Sequence, residues 1–258
     1  MGVLKGILEG VVEDLEERKR ATPLAELRAR VHDAAPAHDP LPAFRAPGVS
    51  IIAEVKRKSP SKGALADIAD PASLAARYEQ GGAAAISVLT EQRRFGGSLT
   101  DLDAVRSRVG IPVLRKDFIV DPYQLWEARA HGADLALLMV VSLEGSLLTD
   151  LHGLAVELGL TPLVESHTAE EVARAVDSGA QLLGVNARDL TTLEVDRTVF
   201  KDLAPHIPAD RVRVAESGVA SPADVAEYHS WGADVVLVGE ALVRSGDPET
   251  SVREFLSA

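Results

Sequence analysis

Short apolar runs alternate with longer amphipathic segments from about residue 50 to the end of the chain, a pattern typical of repeated βα units. Eight runs are predicted as strands, at 50–55, 84–89, 112–115, 134–140, 161–165, 181–185, 212–215 and 234–238. The helices between and after them are predicted near 72–81, 98–109, 122–131, 145–158, 168–178, 196–204, 222–230 and 249–256. This order predicts an α/β fold, the (βα)8 TIM barrel. A doubly wound open sheet is the alternative, but no Gly-x-Gly-x-x-Gly follows the first strand.

Glycine and proline mark the boundaries of these predicted helices. Most helices end in a glycine just before the next strand, where a left-handed C′ residue is expected, at Gly82, Gly110, Gly132, Gly159, Gly179 and Gly232. Several helices begin with an N-cap residue followed by proline, at Asp70-Pro71, Asp121-Pro122, Ser221-Pro222 and Asp247-Pro248.

About 48 residues precede the first predicted strand. Apolar residues recur there at helical spacing, so the opening helix is expected to lay one face on the barrel, through Leu4, Ile7, Leu8, Val11, Val12 and Leu15. A second helix is predicted near 23–32, followed by a proline-rich connector at 34–47. We therefore predict an N-terminal helical extension at 1–48, packed on a barrel catalytic domain at 49–258.

Composition excludes several classes of protein. The 258 residues are 46% hydrophobic, enough for a core, and no apolar stretch approaches the length of a membrane helix. The first residues carry charge too early for a secretory signal, so we expect a cytoplasmic location. A net charge of −12 argues against nucleic-acid binding, and the acidic face of the opening helix argues against a membrane surface. The absence of cysteine excludes disulfides and thiolate chemistry.

Charged and small residues follow the predicted strands. In a barrel these positions share one rim, where lysines and glutamates can shift one another's pKa as general acids and bases require. The rim residues are Glu54, Lys56, Lys58, Ser59, Lys116, Glu165, Asn186, Arg188, Glu216, Ser217, Gly218, Gly239 and Glu240. Taken singly, the basic run after the first strand also fits a solvated loop, and Asn186 to Asp189 also fits a plain turn.

Basic residues concentrate at two strand ends, which predicts a local cationic site for a small anionic ligand in an acidic protein. These residues are Lys56, Arg57, Lys58, Lys62, Arg115 and Lys116. The sequences Glu216-Ser-Gly and Val238-Gly-Glu have the small residues of a phosphate cradle. Only His167 among the seven histidines lies at a predicted strand end, and no pair has ligand spacing, so we predict no metal.

Seven motifs in order make the whole chain resemble the indole-3-glycerol-phosphate synthase family. They are Ile52-Ala-Glu-Val-Lys-Arg-Lys-Ser-Pro-Ser61, Val88-Leu-Thr-Glu91 with Phe95 and Gly97-Ser98, Leu114-Arg-Lys-Asp-Phe118, Leu163-Val-Glu165, Gly184-Val-Asn-Ala-Arg-Asp-Leu190, Ala215-Glu-Ser-Gly218 and Val238-Gly-Glu240. The resemblance implies closure of 1-(2-carboxyphenylamino)-1-deoxyribulose 5-phosphate to indole-3-glycerol phosphate, with loss of carbon dioxide and water, in tryptophan biosynthesis. The opening helix also looks like the one that the family folds over its barrel mouth.

The resemblance further implies roles for individual residues. Lys116 corresponds to the general acid and Glu165 to the general base, and Lys56 to a lysine that contacts the substrate carboxylate and shares acid duties. The remaining correspondences are with positioning groups (Glu54, Asn186 and Glu216), substrate contacts (Arg188 and Ser217), an aromatic sandwich (Phe95 and Phe118) and phosphate contacts (Ser59, Gly218, Gly239 and Glu240). Some relatives place Ser or Asn at position 240, so this chain departs from the family at the phosphate.

The resemblance implies no cofactor, and an anionic phosphosugar is the expected partner. Two alternatives stay open at this point. One is another phosphate-binding barrel, such as the isomerase one step earlier in the pathway, which resembles a barrel with a cysteine base. The other is a barrel that has lost catalysis and serves as a scaffold. The sequence does not determine the oligomeric state, and a monomer is our expectation.

Overall fold

The computed structural model describes residues 3–65, 67–244 and 246–257, and its centre is a closed barrel of eight parallel strands. Each strand pairs with the next along the chain, and the last closes on the first with Val235 opposite Ser50. The strands are β1 (Ser50–Val55), β2 (Ala85–Leu89), β3 (Val113–Lys116), β4 (Leu135–Met139), β5 (Thr161–Ser166), β6 (Leu182–Asn186), β7 (Val212–Glu216) and β8 (Val235–Val238). The barrel prediction is confirmed, and the open sheet is wrong.

A helix follows every barrel strand. The helices are α1 (Val3–Ala21), α2 (Leu24–Asp33), α3 (Leu41–Phe44), α4 (Pro71–Gln80), α5 (Leu99–Arg106), α6 (Pro122–Ala130), α7 (Leu147–Glu157), α8 (Ala169–Asp177), α9 (Thr198–Leu203), α10 (Pro222–Ser230), α11 (Glu240–Val243) and α12 (Pro248–Leu256). Two 3-10 turns (Val140–Ser142 and Ala204–His206) and a small hairpin of Lys58–Ser59 with Gly63–Ala64 complete the elements. Sequence reasoning did not predict α3, α11 or the hairpin. Within the described part of the chain, no helix is long and apolar enough to cross a membrane.

The predicted helix boundaries hold with one exception. Asp70 and Asp121 accept hydrogen bonds from backbone N–H groups in the first turns of α4 and α6. Five of the six helix-closing glycines have positive φ, namely Gly82, Gly132, Gly159, Gly179 and Gly232. Gly110 does not, so that prediction is wrong. The reason is that α5 already ends at Arg106, which leaves Gly110 in the connecting loop.

Two apolar layers form the core, because successive residues of a strand point to opposite faces. One layer lies between the strands and the surrounding helices and includes Ile51, Val88 and Val113. The other fills the barrel interior and includes Ile52, Leu114 and the residues Leu135, Leu163, Leu182, Val214 and Leu237. Interior and exterior positions therefore alternate, which fixes which side chains can reach the barrel mouth.

The N-terminal helices contact both ends of the barrel. The apolar face of α1 buries Ile7, Val11 and Leu15, as its periodicity predicts, but Val12 of the same predicted face is 47% exposed. At the opposite end, α3 lies near the amino ends of the strands, where Ser50 Oγ donates to the Ala43 carbonyl over 3.2 Å. Phe44 of α3 is fully buried in the interior layer. The segment predicted as a connector thus supplies a core residue that closes the bottom of the barrel.

Candidate active site

The polar residues of the mouth continue the inward-facing layer of the strands. Each lies two residues beyond an interior apolar residue or in phase with one, so its side chain points into the barrel at its carboxyl end. Thus Glu54 follows Ile52, Lys116 follows Leu114, Glu165 follows Leu163, Glu216 follows Val214, and Asn186 is in phase with Leu182. The period of a strand therefore explains why these charged groups converge.

A cavity of about 930 Å³ opens at this end of the barrel. All of the predicted rim residues except Lys58 line it, together with the two predicted phenylalanines, namely Glu54, Lys56, Ser59, Phe95, Lys116, Phe118, Glu165, Asn186, Arg188, Glu216, Ser217, Gly218, Gly239 and Glu240. Its volume is that of a small-molecule site. The structure brings these residues together, although they are spread over most of the chain.

Lys116 lies at the centre of the cavity between two carboxylates. Its Nζ donates to Glu165 Oε2 over 3.0 Å and to Glu216 Oε2 over 2.6 Å. Glu165 and Glu216 are almost completely buried, whereas the Lys116 side chain keeps 13% of its surface exposed. The ammonium is therefore the accessible member of the cluster.

One lysine cannot neutralise two buried carboxylates, so the pKa values of the two acids separate. Burial disfavours ionisation of Glu165, but Lys116, His167 and the Asn186 amide more than compensate and lower its pKa to about 2. Burial raises the pKa of Glu216 to about 8, opposed by Lys116 and reinforced by Glu165. Burial also opposes the charge on Lys116, yet the carboxylates outweigh it and raise the pKa of the ammonium. These opposite directions favour Glu216 as the protonated acid of the pair and Glu165 as the ionised one.

Hydrogen bonding supports this assignment of the proton. Asn186 Nδ2 donates to Glu165 Oε1 over 3.1 Å. Glu216 Oε1, by contrast, is buried and has no hydrogen-bond partner among the described residues. An unpartnered buried oxygen tolerates the neutral acid better than the charged carboxylate.

Lys56 and Glu54 form a second ion pair on the neighbouring wall, where the Lys56 ammonium donates to Glu54 Oε1. Two glycines make room for the polar groups. A Cβ at Gly239 would lie 2.4 Å from Glu54 Oε1 and 3.0 Å from Lys56 Nζ. A Cβ at Gly184 would lie 2.2 Å from Glu216 Oε1. Any side chain at either position would displace a polar group of the site.

Asn186 connects three parts of the mouth. Besides its amide bond to Glu165, its Oδ1 accepts the Ser217 hydroxyl over 2.8 Å and the Arg188 backbone N–H over 3.0 Å. The Arg188 guanidinium in turn donates to the Leu193 carbonyl over 2.8 Å. Asn186 thereby fixes the position of Glu165 relative to the β6 and β7 loops.

Apolar groups form one side of the cavity. The rings of Phe95 and Phe118 lie 6.1 Å apart between centroids, tilted by 43°. Helix α1 contributes Val3, Leu4 and Ile7 to the lining. This side suits a flat aromatic group, whereas the wall of lysines and glutamates suits charge.

The remaining end of the cavity has exposed backbone and cations. Ser217 and Gly218 both have positive φ, of 71° and 78°. Glu240, at the start of α11, accepts from Lys62 Nζ over 2.8 Å and lies 3.0 Å from Arg244 Nη1. Two cations therefore surround this one carboxylate, so the region is net positive.

The predicted cationic cluster is only partly correct. Lys56, Lys62 and Lys116 line the cavity, but Arg57, Lys58 and Arg115 do not. Arg57 instead pairs with Asp101, and Lys58 Nζ donates to the Arg93 carbonyl over 3.0 Å. Arg115 is directed away from the mouth because it alternates with Lys116 along β3.

Some lining residues were missed by sequence reasoning. They are Arg244 and the apolar group Leu190, Leu193 and Val195 in the loop after β6. Leu193 has a φ of 63°, which no sequence pattern signals for a leucine. As for metals, no group of three or more His, Asp or Glu side chains in the described ranges is placed to hold an ion.

Comparison with known proteins agrees with this geometry. A sequence model of the indole-3-glycerol phosphate synthase family matches residues 4–255. The chain belongs to this family. It is 62% identical to indole-3-glycerol phosphate synthase 1 of Streptomyces coelicolor and 58% identical to the Streptomyces griseus indole-3-glycerol phosphate synthase. Both alignments cover 100% of this chain and 96% of the relative.

Solved structures with similar folds are more distant in sequence. The 3-hexulose-6-phosphate synthase of Salmonella typhimurium superposes with a TM-score of 0.65 at 18% identity, covering 81% of this chain and 97% of that one. Thiamine phosphate pyrophosphorylase of Pyrococcus furiosus superposes with a TM-score of 0.60 at 16% identity, and the match covers 81% of this chain and 94% of that one. These likenesses support the barrel fold alone.

Proposed function

We propose that this member of the indole-3-glycerol phosphate synthase family closes 1-(2-carboxyphenylamino)-1-deoxyribulose 5-phosphate to indole-3-glycerol phosphate, with Lys116 and Glu165 as acid and base. The reaction is that of a carboxy-lyase and loses carbon dioxide and water. The observation that carries the proposal is the ammonium of Lys116 held between two buried carboxylates at the mouth of the barrel. Opposed acid and base groups in one cavity are what a ring closure followed by dehydration requires.

Lys116 is the proposed general acid. When the aromatic carbon attacks the C2 ketone, negative charge develops on the ketone oxygen. An ammonium whose pKa is raised stays protonated at neutral pH, and an alkoxide is basic enough to take its proton. The partial exposure of Lys116 to the cavity supports this role.

Glu165 is the proposed general base. Its pKa of about 2 keeps it ionised at neutral pH, which is the form that accepts the proton lost on dehydration. The bond from Asn186 fixes one carboxylate oxygen. Glu216, protonated beside Lys116, is proposed to position the lysine rather than to take a proton from the substrate.

Lys56 is proposed to contact the substrate carboxylate and to share acid duties, with Glu54 orienting its ammonium. Loss of that carboxylate as carbon dioxide then leaves Glu54 as the remaining anionic partner of Lys56. Phe95 and Phe118 are proposed to hold the aromatic ring, with Arg188 and Ser217 as further substrate contacts. The centroids of the two phenylalanine rings are 6.1 Å apart. A substrate ring placed between them therefore requires this distance to increase.

The phosphate is proposed to bind at Ser59, Gly218, Gly239 and Glu240. Exposed N–H groups of the glycines supply donors, and Glu240 contributes its backbone N–H. The Glu240 carboxylate would repel a phosphate, but its pairing with Lys62 and Arg244 offsets this charge. The local balance of two cations to one carboxylate supports an anion at this end.

A fluorescence assay tests the proposal. Purified protein mixed with the carboxyphenylamino substrate should raise indole fluorescence under conditions where the protein is folded. A folded but silent protein would favour the scaffold alternative.

Other expectations accompany this proposal. We propose that residues 1–48 act as an extension of the catalytic domain at 49–258, and that the protein works in the cytoplasm. The chemistry calls for positioning and proton transfer, so no cofactor is proposed. A monomer, and the absence of nucleic-acid and membrane partners, stay predictions.

A further inference from the structure

His167 is an ionisable residue next to the proposed base, and the proposed reaction gives it no role. It directly follows β5 and lies two residues after Glu165. Its backbone N–H donates to Glu171 Oε2 over 2.7 Å, and its Nδ1 lies 3.3 Å from the same oxygen. The imidazole is thus held from one side by a carboxylate of α8.

The other ring nitrogen is directed at Glu165. His167 Nε2 lies 3.5 Å from Glu165 Oε1, the oxygen that also accepts from Asn186. This nitrogen is buried and has no hydrogen-bond partner in the part of the chain that the structure describes. Glu165 therefore has Lys116 at one oxygen, and Asn186 and His167 at the other.

The charges around the imidazole favour its protonated form. The carboxylates of Glu171 on α8 and Glu165 on β5 face it, and Asp189 is within electrostatic reach in the loop after β6. Glu216 on β7 adds to this negative charge only when it is ionised. Burial lowers the pKa of His167, but these carboxylates outweigh burial and leave the pKa raised. Lys116 contacts the other carboxylate oxygen of Glu165, over 3.0 Å.

We propose that His167 is a positioning residue that acts through Glu165, serving as a second cation that keeps the base ionised and in place. The proposal rests on the proposed role of Glu165 in the reaction.

A second cation is needed because Lys116 serves two functions. Once Lys116 has given its proton to the developing alkoxide, it is a neutral amine and no longer a counter-ion. Glu165 would then hold its negative charge in a buried site with only the Asn186 amide as a partner, which favours premature protonation. An imidazolium at His167 maintains the charge balance until the proton of the dehydration step arrives.

Titration by nuclear magnetic resonance tests the coupling without substrate. The His167 ring signals, assigned by their loss in His167→Gln, should titrate above the ordinary histidine value. In Glu165→Gln the midpoint should fall by about one pH unit, because the facing carboxylate has lost its charge. Glu171→Gln should lower the midpoint as well. An ordinary midpoint that is unmoved by Glu165→Gln overturns the proposal.

The pH dependence of kcat tests the catalytic consequence. At saturating substrate, the acid limb of kcat should move up by about one pH unit in His167→Gln and should return toward the parental position in His167→Lys, which restores a cation. The control is His32→Gln, an exposed histidine of α2, whose profile should match the parent. A uniform loss of kcat with no movement of the limb would mean that His167 only packs, and would overturn the proposal. An inactive but folded parent would instead remove the proposed function, while the titration result would stand.

Discussion

Arg115 and Lys116 are neighbours on β3, yet the two charges have opposite surroundings. Arg115 points outward, beneath the surrounding helices, and its side chain is 1% exposed. Lys116 points inward, to a cavity. The two residues show that burial of a charge does not by itself indicate function.

Arg115 has a full set of partners. Its guanidinium donates to Asp117 Oδ2 over 2.9 Å, to Glu127 Oε2 over 2.8 Å and to the Gln124 carbonyl over 2.8 Å. Arg18 of α1 also donates to Glu127, over 2.9 Å, which connects the N-terminal helix to this network. Such a closed network joins helices to the strand and leaves no group for chemistry.

The Lys116 cluster is incomplete by comparison. Two carboxylates share one ammonium, and Glu216 Oε1 lacks a hydrogen-bond partner among the described residues. A buried ion pair seldom stabilises a fold more than apolar side chains of the same volume. The incomplete cluster is therefore better explained by the reaction, and the complete one by stability.

Arg115→Met tests the structural side of this comparison. The change leaves Asp117 and Glu127 as buried, poorly compensated carboxylates, so the free energy of unfolding should fall by about 3–5 kcal/mol. Urea denaturation gives this value, while kcat per folded molecule should stay near that of the parent. A stable but inactive variant would assign Arg115 to the chemistry.

Lys116→Met tests the catalytic side at the adjacent position. Loss of the proposed acid should reduce kcat at least about 100-fold. The folded state should persist, because the remaining carboxyls can each hold a proton. Steady-state fluorescence kinetics and circular dichroism measure the two effects. Near-normal turnover would exclude Lys116 as the acid.

Glu165→Gln separates the steps of the reaction. An amide cannot take the proton, so dehydration should fail first and an intermediate should accumulate before indole fluorescence rises. Single-turnover traces report this build-up. Traces identical to those of the parent would assign the base to another residue.

The protonation of Glu216 predicts a pH effect. With a pKa of about 8, Glu216 is neutral below that pH and charged above it. When Glu216 ionises, Lys116 lies beside two carboxylates instead of one. The second negative charge raises the pKa of the ammonium further and makes it a weaker acid. The kcat should therefore decline above about pH 8 in the parent, whereas Glu216→Gln should lack this step. A Glu216→Gln profile with the same step would refute the assignment.

Glu240→Ser should give the smallest effect, because this carboxylate is partly exposed. Its loss removes repulsion from the phosphate and frees Lys62 and Arg244, so KM should fall about 2- to 5-fold with kcat unchanged. The matched control is Glu249→Ser, which breaks the exposed pair with Arg253 on α12. A KM that rises in Glu240→Ser but not in Glu249→Ser would mean that the Glu240 carboxylate helps to bind substrate.

Much of the fold could be predicted from the sequence because its signals are local. Short apolar runs between amphipathic segments and the N-cap aspartates identify the elements, and barrel topology then places Lys116 and Glu165 on one rim. The family resemblance added the expected roles. It did not reveal that His167 faces Glu165.

Other features depend on contacts between distant segments. Arg115 and Lys116 end the same run, and the sequence does not show which of them turns inward. Phe44 lies in a proline-rich stretch without apolar periodicity, so the residues around it in the sequence do not predict that it is buried. It is buried because it fills the end of the barrel interior. The pairing of Glu240 with Lys62 likewise joins residues from opposite ends of the domain.

The pairing of Ser50 with Val235 has a consequence for the order of events during synthesis. The first barrel strand leaves the ribosome early, but one of its two edges has no partner until the final strand has been translated. Glu54 lies on the first of these strands and Gly239 directly follows the last, so the two residues come together late. A nascent chain consequently exposes this open edge from the synthesis of β1 until that of β8, and the cavity at the barrel mouth is complete only after β8 and Gly239 have emerged.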